Sequence, residues 1–154
     1  MNRNGSKTKA RTVRVWSYDE AKKAVPYISA IMRSLREHCL ESQSHKRTAQ
    51  RLADKPGRPD RTALVSHSEE VREATEAQNR FDDGIAELHA LDVFCLDPVG
   101  GEAVIPFLHA KKLAWFVFDL FDEEDHLRQW RYHDDPLDIR RPIADALVEP
   151  TLTV

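Results

Sequence analysis

The sequence predicts an α+β domain: a long antiparallel helical hairpin followed by a small three- to four-stranded antiparallel sheet. Three observations predict it. An apolar stripe with alternating three- and four-residue spacing runs from Ala24 to Leu88 and is broken by DKPGRPDR at 54–61. After Ala90 the pattern changes to short apolar runs parted by turn residues. The chain has 154 residues, 41% hydrophobic and 32% charged, enough for one domain with a core and much solvated helix.

Residues 1–14 carry five basic side chains (Arg3, Lys7, Lys9, Arg11 and Arg14), no acid and little apolar surface. They are expected to form a flexible arm, with order beginning at Val15-Trp16. Ser17-Tyr18-Asp19-Glu20 fits a capping box, in which Ser17 caps a helix and Glu20 reaches back. That helix should span about 18–53 and bend at Pro26, which lacks the backbone donor. Its seam is Ala24, Ile28, Ile31, Leu35, His38, Ser42, His45, Ala49 and Leu52, apolar to Leu35 and polar beyond.

DKPGRPDR is a strong turn signal. A second helix is expected over about 66–90, capped by Ser66 with Glu69 completing a second box. Its seam is His67, Val71, Ala74, Gln78, Phe81, Ile85 and Leu88. Folding the two into a hairpin sets Leu35 against Phe81, Ile31 against Ile85 and Ile28 against Leu88. It sets His38 against Gln78, and Ala49 level with His67. The base is thus apolar and the tip polar.

The sheet should occupy about 92–133, with strands at 92–97, 103–108, 113–121 and 126–133. Trp115-Phe116-Val117-Phe118 is apolar on both faces, as a central strand covered twice would be. Pro106 should make its strand an edge or end it early. From Asp134 the chain should wrap the surface without regular structure. One α+β domain over 15–143 and a C-terminal tail over 144–154 complete the organisation.

The net charge of −3 hides an asymmetry: residues 1–61 hold 15 Lys/Arg against 6 Asp/Glu, and residues 62–154 hold 8 against 20. Such a chain can neutralise itself, pair with a second copy, or attract an acidic partner. Cys39 and Cys95 belong to no CxxC, so a zinc ribbon is excluded and a disulfide is not expected. There is no apolar run long enough to span a bilayer and no secretory signal, so the cytoplasm is the expected compartment.

The order of segments resembles the bacterial family catalogued as domain of unknown function 2203. Trp16-Ser17-Tyr18-Asp19-Glu20-Ala21 with Pro26 carries the resemblance, as do Leu91-Asp92-Val93, Asp97-Pro98 and Gly101. Ile105-Pro106-Phe107, Trp130 and Arg140-Arg141-Pro142-Ile143 complete it. The resemblance implies a capped long helix, a second helix and a short antiparallel sheet over residues 15–143. Two departures bear on function. Val117-Phe118-Asp119 stands where the family has Cys-Trp-Arg, and Arg131, not a histidine, follows Trp130.

Candidate chemistry is sparse. Asp122-Glu123-Glu124-Asp125-His126 could offer oxygen ligands to a hard cation, but four consecutive residues diverge, and a solvated turn explains the run better. The hairpin histidines are sharper metal candidates: His38 with Glu41, His45 a heptad on, and His67 with Glu70, an incomplete di-metal pattern. Nucleophile elbows and phosphate loops are absent, so no catalytic or cofactor-binding residue is assigned. The expected role is a non-catalytic, dimer-forming interaction protein with no cofactor. The alternative is a metal-dependent enzyme using the hairpin histidines and carboxylates. A third is a charge-driven nucleic-acid binder using the arm and the basic residues at the tip.

Overall fold

The computed structural model describes residues 12–147. Two long helices, α1 (Tyr18–Ala53) and α2 (Arg61–Ala90), form the hairpin. Strands β1 (Phe94–Asp97), β2 (Glu102–His109), β3 (Lys112–Asp119), β4 (Gln129–Tyr132) and β5 (Arg141–Pro142) follow, and then the short helix α3 (Ile143–Leu147). The sheet is antiparallel throughout, in the order β1-β2-β3-β4-β5. The hairpin-then-sheet architecture is the one the sequence predicts.

α1 begins and ends as expected. The Glu20 amide donates to Ser17 Oγ (3.1 Å) and the Ser17 amide to Glu20 Oε1 (3.2 Å), so the capping box is formed in both directions. Pro26 lies within the helix without ending it. α2 starts earlier than expected. Its cap is Asp60, whose carboxylate accepts from the Ala63 amide (2.8 Å), and Ser66 lies inside the helix. An acceptor just after Pro59 captures the chain before Ser66 can, and adds more than a turn of helix.

One face of the sheet packs on the hairpin. Ala103, Ile105 and Phe107 of β2, Ala114, Phe116 and Phe118 of β3, and Trp130 of β4 meet Ile28, Ile31, Met32 and Leu35 of α1 and Leu88 of α2. Phe107 and Phe116, cross-strand neighbours on this face, stack with centroids 3.9 Å apart. The alternate residues Val104, Pro106, Val117 and Arg131 are also buried, on the opposite face. The segment after β4 reaches over that face: Arg140 comes within 3.7 Å of Glu102, and Arg131 donates to the Asp135 carbonyl. The double cover expected for Trp115–Phe118 is therefore real.

Several expectations need correction. Pro106 neither ends β2 nor makes it an edge. β1 stops opposite Val104, and the Pro106 carbonyl accepts instead from the Trp16 amide (2.8 Å). Its missing donor thus falls where β1 no longer offers a partner. β4 begins at Gln129, not 126, because the Asp125 carboxylate holds the Leu127 amide in a turn. The segment from Asp134 is irregular only to Arg140; β5 then pairs with β4 and α3 follows, past the expected domain end at 143. Most of the expected arm and of the tail lies outside the described residues. Arg14, the arm's last residue, is drawn in: its guanidinium bonds Glu20 and its amide Asp92.

Candidate interaction surface

Heptad steps keep one direction on a helix. On α1 the steps Met32, Cys39 and Lys46 share a direction, and on α2 so do Ile85, Gln78 and Val71. At the base this face meets the sheet. Met32 is fully buried, Ile85 packs on the core, and Arg36 Nε donates to the Val99 carbonyl (3.1 Å) in the β1–β2 turn. Cys39 lies near enough to Cys95 of β1 to influence it electrostatically, and burial pushes the Cys95 thiol up to about 11.

Beyond that turn the helices run on without the sheet. The same face becomes an open groove of about 550 Å³, with Ala49, Val71 and Ala74 as its apolar part and Lys46, Gln50, His67 and Gln78 around it. His67 also borders a second groove, about 580 Å³, formed by the turn with Leu52, Pro56 and Leu64. Small residues leave this space: Ala49 and Ala74 are buried in the helix contact, while Val71 is 44% exposed and Leu64 57%. Val71, a seam residue in the sequence reading, is therefore half in water.

Charge is segregated along this overhang. Lys46, Arg47, Arg51, Lys55, Arg58 and Arg61 form no ion pair among the described residues, and neither do Glu69, Glu76, Asp82 and Asp83 further along α2. The tip, residues 46–61, carries six cations against Asp54 and Asp60, and residues 62–83 of α2 carry six carboxylates against Arg72 and Arg80, so the balance changes sign along the overhang.

The five metal candidates do not converge. His45 Nδ1 lies 2.6 Å from Glu70 Oε2, linking the helices near the expected hairpin register. His38 Nδ1 is 3.8 Å from Glu41 Oε2 on its own helix, and this buried nitrogen has no hydrogen bond. His67 lines the groove and joins neither pair. Among the described residues no group of three or more His, Cys, Asp or Glu is placed to hold a metal ion.

The acidic run is a turn clamped by one arginine. Arg128 donates to both oxygens of Asp122 (2.7 and 3.2 Å) and to Glu124 (3.2 Å), and this guanidinium holds the Asp122 carboxyl below its ordinary range. His126 is spent on structure: Nδ1 is 2.8 Å from the Asp119 carbonyl and the ring stacks on Phe118.

The off-seam residues Val25, Met32, Cys39, Ala77 and Gly84 offer no surface for self-association. Met32 and Ala77 are buried, and a Cβ built on Gly84 would lie 2.6 Å from Leu35 Cδ2. These residues face the sheet or the partner helix. On α2 the exposed large apolar side chains are Leu64, Val65 and Val71, all towards its outer end. Their signal in the sequence was the capping of α2 at Asp60, which makes the hairpin longer than the sheet can cover.

The geometry defines an α+β domain whose helical layer overhangs its sheet and ends in an open, charge-segregated groove. No family model, no curated protein and no solved structure matches the chain. Among the described residues no helix is long and apolar enough to cross a membrane.

Proposed function

We propose that the protein is a non-catalytic, dimer-forming interaction protein of the cytoplasm that pairs through the overhanging half of its hairpin. The distant kinship with domain of unknown function 2203 belongs to the same proposal. The observation that carries it is the groove around Val71, where the face that holds the sheet at the base continues uncovered to the tip. The overhanging stretch of α2, from Arg61 to about Asp82, is about 22 residues, or about 33 Å, and two helices are about 20 Å wide. Pairing two such faces buries roughly 1,300 Å² in total, at the small end of stable interfaces, so the dimer should be of micromolar strength.

Sedimentation equilibrium tests this. The chain should approach twice its 17.7 kDa mass at about 100 µM, well above a micromolar dissociation constant. Val71→Asp should return it to monomer while the helical circular dichroism is retained. A monomer throughout, from the unmodified chain, would sink the proposal.

The tip cations favour a second reading, sequence-independent binding of nucleic acid. It requires that affinity for a short duplex fall steeply with salt, with a slope of about −0.9 per phosphate neutralised. Binding that survives high salt, or none at low salt, would dismiss it. The metal-dependent reading has its donors in separate pairs and gains no support from their placement.

A further inference from the structure

We propose that two copies pair antiparallel about a two-fold axis beside Val71, so that Arg61 of each lies against Asp82 of the other. This rests on the dimer reading and specifies its register. The sheet stands on the same face of the hairpin as the groove, at the base. Face-to-face pairing in parallel would drive the two sheets into each other and set the cations of both tips side by side. Antiparallel pairing avoids both, since each tip then extends over the bare part of the other hairpin until the partner's β1–β2 turn stops it.

The axis is fixed by the extent of the bare stretch. It runs from Arg61, the first residue of α2, to about Asp82, one turn beyond Gln78, which itself donates to Asp82 Oδ1 (3.1 Å). Its midpoint lies between Val71 and Arg72. A two-fold axis there maps Arg61 onto the level of Asp82. Leu64 then meets the level of Gln78 and Asn79, and the two Val71 side chains meet at the centre. Arg61 and Asp82 are both exposed and form no ion pair among the described residues, so the partner compensates two charges that these leave open. Such complementarity sets orientation and register more than strength.

Charge reversal tests the register with the full chain. Arg61→Glu places an acid in the first turn of α2, which the helix tolerates, and Asp82→Arg changes an exposed position. Each alone should raise the dimer dissociation constant by about tenfold, and the two combined should restore it to within about threefold. Single variants without effect, or a combination no better than either one, would overturn this register while leaving a dimer. An unmodified chain that stays monomeric at about 100 µM would overturn the register and the dimer reading together.

Discussion

Gly84→Ala in α2 is a substitution whose sign the packing reverses. Helix propensity alone favours alanine over glycine by about 1 kcal/mol in a helix interior. Here the new Cβ would lie 2.6 Å from Leu35 Cδ2 and 3.3 Å from Leu35 Cγ, and Leu35 is fully buried between α2 and the sheet. A side chain held on all sides cannot swing away, and overpacking of this kind costs about 1–3 kcal/mol. The net expectation is a loss of about 1 kcal/mol where propensity promises a gain of the same size. Leu35→Ala alone should cost about 2–5 kcal/mol, but it removes the clashing atoms. On that background Gly84→Ala should stabilise by about 1 kcal/mol, filling part of the space and keeping its helical advantage. Urea denaturation followed by circular dichroism measures all four species. Protein concentration must be matched, because dissociation of a dimer shifts the midpoint. If Gly84→Ala stabilises the unmodified chain, the close crossing of α1 and α2 at this point is wrong.

Three further outcomes follow from the sheet. Ala110 and Lys111 join β2 to β3 with φ of 51° and 62°, a conformation that costs L-residues about 1–2 kcal/mol each, so Lys111→Gly should raise stability by about 1 kcal/mol; no gain in a thermal melt would contradict the turn geometry. The Arg141 guanidinium holds the Asp135 carboxyl down to about 2 from an ordinary 3.8. A depressed folded-state pKa contributes stability that is present above about 3.8 and fades as pH falls towards 2, so Asp135→Asn should flatten the acid limb of the unfolding curve in that window. An acid limb of unchanged steepness would show that the pairing is not kept in solution. Glu123→Ala, in the exposed turn, should change stability by less than about 0.5 kcal/mol; a large loss would mean the acidic run does more than turn the chain.

What was legible in the sequence is what local chemistry decides. Ser17 and Glu20 fix the start of α1, and the Pro/Gly-rich turn fixes its end, because caps and turns act over a few residues. The central place of β3 was legible too, because Trp115–Phe118 carries apolar side chains on both faces. β5 escaped notice for the same reason in reverse. It has two residues, one a proline, and exists because Arg141 pairs opposite Trp130, whose indole donates to the Pro142 carbonyl (3.0 Å). Nothing local announces a strand held by another strand's side chain. The start of α2 was read at Ser66, whereas the turn closes earlier and puts the cap at Asp60.

The harder lesson concerns Met32 and Val71, which periodicity places on helix faces without saying what each face will meet. Met32 lies off the hairpin seam, where helical spacing gives no reason for burial; in the fold it meets the sheet and is fully buried. Val71 lies on the seam and so looked interior; in the fold it is 44% exposed, because the residues around it, Ala49 and Ala74, are too small to cover it. Both errors have one cause. A hairpin some 30 residues long outreaches a sheet built on short strands, so one continuous face is core at its base and surface at its tip. The change from Met32 through Cys39 to Lys46, and from Ile85 through Gln78 to Val71, records where the cover stops. Along α2 that sequence of residues does not become fully polar, as a permanently solvated face would. It returns to valine and leucine at Val71 and Leu64, next to charges without partners, and that return is the strongest argument that the overhang is meant to be covered.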